Sequence, residues 1–112
     1  MTERTKKYLE DILISIGKIE MFTVDCIDFN KYVNDEKTKS AVERHLAIIG
    51  EAINMFSKYE PNVEIEHARK IVSLRNRLIH AYASVDDTIV WAIIKNHLSP
   101  LKQEVEQIIN LK

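Results

Sequence analysis

The chain has 112 residues, a formal net charge of −1 and an apolar content of 46%, enough for one domain with a single core that needs no staple. Only two Gly and two Pro leave little turn chemistry for a many-stranded fold, so the composition predicts an all-α protein: one domain over residues 1–112, built as an antiparallel bundle of four to five helices. The charge balance excludes a global positive field of the kind that grips long nucleic acid, so any nucleic-acid contact must be local.

Compartment follows from two absences in the pattern. No stretch approaches the roughly 20 apolar residues of a membrane span, and Glu10 and Asp11 interrupt the apolar positions near the start, where a signal peptide needs an unbroken run. The lone Cys26 has no intramolecular disulfide partner and reads as a small core residue. A cytoplasmic protein is expected.

In chain order, Tyr8, Leu9, Ile12, Leu13, Ile16, Ile19 and Phe22 recur at three- and four-residue spacing and predict a helix from Glu3 to about Thr23. Gly17 lies inside it at a cost of about 1 kcal/mol relative to Ala, which suggests a close helix–helix approach. Asp28 to Val33 reads as a short helical turn, followed by a polar link in which Asn34 or Asp35 caps the next helix. That helix, Glu36 to Lys58, carries Ala41, Val42, Leu46, Ile48, Ile49, Ala52, Ile53 and Phe56, a stripe wide enough to face both a core and a second surface, as a central element does.

Pro61 and Asn62 break the chain before a fourth helix from Ile65 to Tyr82, with Ala68, Ile71, Val72, Leu74, Leu78 and Ile79 as its apolar positions. Ser84-Val85-Asp86-Asp87 reads as a helix start, Asp86 capping and Val85 packing on Val90. The last helix runs to about Leu111 with a bend or break near Pro100, whose ring removes a backbone donor.

The octapeptide Arg75-Asn76-Arg77-Leu78-Ile79-His80-Ala81-Tyr82 concentrates reactive groups at the end of the fourth helix. At about 100° per residue, Arg75, Ile79 and Tyr82 share one face, Asn76 and His80 an adjacent one, and His80 lies about 140° around from Arg75. One straight helix spreads the set, whereas two copies across a two-fold axis bring the Arg and His of each chain together, which predicts a homodimer. Arg69, Lys70, Arg75 and Arg77 against the single acid Glu66 make this stretch locally basic. Arg69, Lys70 and Arg77 are therefore candidate RNA phosphate contacts.

The chemistry that fits is cleavage of RNA through its own 2′-hydroxyl, which needs a base, an acid and a cation for the charge on phosphorus. Histidine serves either proton role near neutrality, and the arginine fork matches phosphate oxygens. The same spacing also fits a purely structural arrangement in which His80 caps the helix C-terminus, the arginines are solvated and Tyr82 packs half-buried. His45 sits on an apolar stripe and reads as a satisfied core or interface residue. His67 and His97 match no metal-ligand spacing, so neither a metal nor any other cofactor is expected.

Arg75, four residues, His80, one residue, Tyr82, with Asn76 after the arginine, resembles the signature of HepT-like toxins in the HEPN superfamily of helical ribonucleases. Ala41-Val42-Glu43-Arg44, Ile49-Gly50-Glu51-Ala52, Pro61 and the Val85-Asp86 to Trp91 stretch resemble the family's other blocks, so essentially the whole chain is covered. One departure is Asn62 to Lys70, where relatives often place a tryptophan and this chain has Val63, Ile65 and His67.

The resemblance implies a homodimeric, metal-independent endoribonuclease toxin of a type VII toxin–antitoxin pair, acting on tRNA or mRNA with Arg75 and His80 catalytic and Asn76 supporting. Its implied partner is an MNT-type nucleotidyltransferase antitoxin that transfers AMP onto the motif tyrosine, here Tyr82. Tyr82 lies almost over Arg75 on a helix, so AMP there places an anion and a bulky nucleoside beside the cation meant for RNA phosphate. The alternative is a non-catalytic helical partner of a nucleotidyltransferase that binds substrate or regulates it.

Overall fold

Thr2 starts the first helix, α1, at Glu3–Phe22: its hydroxyl accepts from the Thr5 N–H at 3.2 Å while its own N–H donates to Thr5 Oγ1 at 3.0 Å. This reciprocal cap satisfies two otherwise unpaired donors. In the computed structural model, the backbone of residues 1–80 and 86–110 is described, with the side chains of these residues except 75 and 77–80. Among the described residues all regular structure is helical.

Short acidic side chains set the next starts. Asp28 accepts from the Lys31 N–H at 2.9 Å and opens α2, Phe29–Val33. Of the two candidate caps that follow, Asp35 takes the role, accepting from both the N–H and the hydroxyl of Thr38 and opening α3, Glu36–Tyr59. Those two bonds favour its ionised form and hold the Asp35 carboxyl below its ordinary range.

Past the turn at Pro61 and Asn62, a 3-10 turn at Glu66–Ala68 leads directly into α4, Arg69–His80. The predicted fourth helix is thus present with a tighter first turn, and Ala81 and Tyr82 lie outside the described residues. Asp86 caps α5, Asp87–Asn96, by accepting from the Thr88 N–H, and α6 follows at Leu98–Asn110. The Val85–Val90 staple falls outside the described residues.

Among the described residues there are six α-helices, the last segment dividing near Pro100 as its expected bend or break allowed. The break is at His97, three residues before the proline. An uninterrupted helix would need the missing Pro100 N–H to reach the Asn96 carbonyl, which the ring instead crowds. Restarting at Leu98 puts Pro100 in a first turn, where no intrahelical donor is required.

Helices α1 and α3 form the main antiparallel pair, with Thr5 beside Glu60 at one end and Ser15 beside His45 further along. Helix α4 packs on α3, and α6 packs on α1. The shared core holds Leu9, Ile12, Ile16, Ile19, Val42, Leu46, Ile49, Phe56, Ile71, Val90, Leu98, Leu101 and Val105. Ile48 is 36% exposed, on the side of the broad stripe that faces a surface and not the core. Cys26 is buried as expected, and burial together with Asp35 and Asp25 pushes its thiol up.

His45 is half-buried, 3.2 Å by Nδ1 from Ser15 Oγ and 5.7 Å from the Phe22 ring, the satisfied packing residue its position suggested. Burial and the nearby Lys18 and Arg44 push its pKa down. Gly17 corrects the sequence reading: it is exposed, and a Cβ built there meets nothing within 4 Å. Among the described residues no other helix comes within contact of it. Gly17→Ala is accordingly expected to raise stability by about 0.5–1 kcal/mol in urea denaturation, by restricting the unfolded chain at no steric cost.

Candidate active site

Helix α4 is amphipathic, and its register determines where the motif residues sit. Ile71 and Leu74 are buried at 0% and 2% exposure and anchor the helix in the core. Taking Arg69 as zero, these two positions lie about 140–200° around the axis, whereas Ser73, Asn76 and the backbone position of His80 fall within about 40° of zero. Arg69, Ser73 and Asn76 are all exposed. The position of Arg75 lies about 120° from this stripe and about 40° from that of Ile71, at the border of the buried face, so the two predicted catalytic positions lie on different sides of the helix.

Asn76, the expected supporting amide, is thus on the surface of the helix, one residue after Arg75 and four before His80. Arg77 lies on the same helix. Tyr82, the expected acceptor of AMP, is outside the described residues. Arg69 and Lys70 occupy the first turn of α4, both exposed.

The segment is fastened on both sides by contacts that sequence reasoning missed. On the upstream side the Glu104 carboxylate of α6 accepts from the Glu66 N–H at 2.6 Å and the His67 N–H at 3.0 Å. This supplies from a distant helix the acceptor that no neighbouring side chain provides at the 3-10 turn. The fixed turn then sets the direction in which α4 leaves. Glu104→Gln removes the charge assistance of these bonds and is expected to cost about 1–2 kcal/mol of stability in thermal or urea unfolding, since hydrogen bonds to charged groups are the stronger ones.

On the downstream side Lys39 of α3 pairs with Asp87 at 2.9 Å, with both side chains only about one-fifth exposed. The bond to Asp87 pushes the Lys39 pKa up. Glu43 lies one turn along α3, and burial plus the field of Asp87 raise its carboxyl above the usual range. The start of α5 is further held by Trp91, whose ring meets Tyr32 at 5.4 Å and Phe29 at 6.4 Å while Lys95 lies 4.7 Å over it. Residues 80 and 86 are thereby tied to the same body of the protein.

A cleft of about 300 Å³ opens beside the start of α4, lined by Glu64, Glu66, His67, Arg69, Lys70 and His97. Burial, Lys70 and His67 together lower the His97 pKa, so it tends towards the neutral form. His67 and His97, unassigned in the sequence, meet here. A wider recess of about 630 Å³ lies at α2, away from the motif. Two of the acids that line it, Asp28 and Asp35, are engaged as helix caps.

Comparison with known proteins places these features. A family model described as Ribonuclease HepT-like matches residues 12–108. The chain is similar to a provisionally named RNase of Methanocaldococcus jannaschii, 41% identical over 105 residues that cover 90% of this chain and 93% of the relative. It is similar also to a provisionally named ribonuclease HepT of Thermococcus cleftensis, 38% identical over 112 residues, 96% of this chain and 98% of the relative. A provisionally named RNase of Caldanaerobacter subterraneus is 30% identical over 105 residues. No solved structure gives a significant match. Among the described residues no helix is long and apolar enough to cross a membrane.

Proposed function

The chain belongs to the HepT-like ribonuclease family, and we propose that it is a metal-independent endoribonuclease toxin working as a homodimer. The observation that carries this reading is the position of Arg75, Asn76 and His80 on the last two turns of α4, with the Asn76 and His80 positions opposite its buried face, on a helix with four cations and no acid. A phosphodiester laid against that helix meets positive charge and a group able to move protons at neutral pH.

In the proposed reaction one His80 takes the proton of a ribose 2′-hydroxyl, and the oxygen attacks the adjacent phosphorus. The bond from phosphorus to the 5′-oxygen breaks, and the second His80, contributed by the partner subunit, gives that oxygen its proton. Arg75 holds the phosphate oxygens as charge builds on them, and Asn76 orients the scissile group. The products are a 2′,3′-cyclic phosphate and a 5′-hydroxyl. Arg77, Arg69 and Lys70 contact RNA phosphates beyond the bond that is cut.

The antitoxin in this reading is an MNT-type nucleotidyltransferase that moves AMP from ATP to the Tyr82 oxygen, releasing pyrophosphate. The phosphodiester so formed puts a negative charge one residue-pair beyond His80 and screens the Arg75 cation from RNA. The substrate is tRNA or mRNA.

The test is cleavage of RNA by the purified protein in excess chelator, with product ends mapped. Persistent cleavage leaving 2′,3′-cyclic phosphate is expected; a requirement for divalent metal, or 5′-phosphate products, would overturn the mechanism. Coexpression with a nucleotidyltransferase antitoxin is expected to add one or more AMP masses at Tyr82. Adducts mapped only to other residues would remove Tyr82 from the scheme.

A further inference from the structure

Helix α4 carries Arg69, Lys70, Arg75 and Arg77 and no Asp or Glu, whereas every other helix of ten residues or more holds at least one acid. A solvated helix shaped by stability alone mixes the two signs at i,i+4 spacing. Two of the cations, Arg69 and Lys70, also occupy the first turn, the end of the helix dipole that favours anions. Folding gains little from this arrangement. The Arg69 side chain makes no ion pair among the described residues.

The two leading cations line the same cleft but sit at different angles on the helix. Lys70 lies about 100° around the helix from Arg69 and acts on His97 in the cleft. Glu64 and Glu66 line that cleft as well, so their charges offset part of the attraction of Lys70 for phosphate. Arg69, although it reaches the rim of the same cleft, heads the exposed stripe of Ser73 and Asn76 that continues to the backbone position of His80, eleven residues or about 16 Å along the axis. That stripe is opposite the buried Ile71 and Leu74.

We propose that Arg69 and Ser73 form a rail for the backbone of single-stranded RNA, Arg69 holding a phosphate several nucleotides from the bond presented at His80. The inference rests on the nuclease reading of the motif. Arg69 is a positioning residue: its guanidinium forks onto phosphate oxygens, and the Ser73 hydroxyl donates to an oxygen between it and the active end. Neither group reads a base edge, so the rail fixes register and direction without selecting sequence. Lys70, facing the cleft with its two glutamates, contributes less to RNA binding than Arg69 does.

The test compares wild type with Arg69→Gln on an RNA oligonucleotide that wild type cuts and on the same RNA trimmed from each end to the shortest piece still cut. On the longer RNA, KM is expected to rise about tenfold with kcat within twofold, the loss of one charge-assisted contact made equally in ground and transition states. The salt dependence of log KM should flatten by about 0.7, one single-strand phosphate contact. On the trimmed RNA, variant and wild type should have equal KM. Lys70→Gln is expected to raise KM by less than threefold, and Lys18→Gln on α1, with the same change in charge, by less than twofold.

An unchanged KM on the longer RNA, an equal loss on the trimmed RNA, or an equal loss with Lys18→Gln overturns the rail while leaving the nuclease reading intact. If wild type cuts no RNA, the nuclease reading fails by itself, and the rail is judged on binding. Fluorescent single-stranded RNA is then titrated against His80→Ala and the His80→Ala, Arg69→Gln pair. About tenfold weaker binding by the double variant supports the rail; equal affinity, or no binding by either, overturns it.

Discussion

His80→Ala is expected to cut RNA at least a hundredfold more slowly than wild type, and Arg75→Ala to lose a similar factor, while both proteins keep the helical content and oligomeric state of the parent. The magnitude follows from the proton transfers assigned to the histidine, which as general acid–base steps contribute about 10²–10⁴ each. Removing the arginine withdraws a cation from a phosphorus that is gaining charge, an effect of comparable size when the stabilising group is already in place.

Structure favours a clean experiment. The position of His80 lies on the side of α4 opposite Ile71 and Leu74, so truncation there leaves the core of the helix in place. The measurement is single-turnover cleavage of a labelled RNA, alongside circular dichroism, sedimentation and growth of cells expressing each variant. Growth arrest should accompany wild type and be absent with either substitution. If purified His80→Ala cuts RNA as fast as wild type, the residue has no catalytic role and the proposed mechanism is wrong.

Ile71→Ala attacks the same site from beneath. Ile71 has no exposed surface and is held in the interface between α4 and the rest of the core. Truncation there removes three carbons from a packed environment and leaves a cavity, at a cost of about 2–5 kcal/mol. Against a total of about 5–15 kcal/mol for an ordinary domain, that is a large share. Urea unfolding should show the midpoint falling sharply with the slope unchanged. Ile71→Val, which keeps the branch and loses one methyl, should cost about 0.5–1.5 kcal/mol and separate a packing defect from loss of the helix. Equal stability of Ile71→Ala and wild type would mean that α4 is not held by this contact.

The parts of the fold that sequence revealed are those governed by short-range rules. Asp28, Asp35 and Asp86 each cap a helix within three residues of themselves, and such pairings are legible because donor and acceptor are neighbours in the chain. Helical periodicity likewise found α1, α3 and the body of α4. Periodicity could not tell which edge of the broad α3 stripe meets the core and which a second surface; Ile48, 36% exposed, lies on the surface edge. Gly17 illustrates the same gap, since a residue without a side chain is compatible with crowding and with open space.

The fastenings of the motif were invisible for a different reason. Glu104 reaches Glu66 and His67 across 38 and 37 residues, and Lys39 reaches Asp87 between separate helices. Each of these side chains sits among other charged residues with nothing in its local pattern to mark it. Arg75, Asn76 and His80 were legible as a motif, and the structure adds that the Asn76 and His80 positions lie opposite the buried Ile71 and Leu74 of their helix. Tyr82, for which the sequence carries the regulatory assignment, lies outside the described residues.

The bond from Glu104 to the turn before α4 also bears on the order of events during synthesis. A ribosome delivers Arg75 and His80 well before it delivers residue 104, yet the turn that aims their helix is closed by that later carboxylate. Domains emerge from the N-terminal side and complete long-range contacts last. On the nuclease reading proposed above, the helix that carries Arg75 and His80 therefore takes its final direction only after residue 104 has been made, so the site is present in the chain before it is fixed in place.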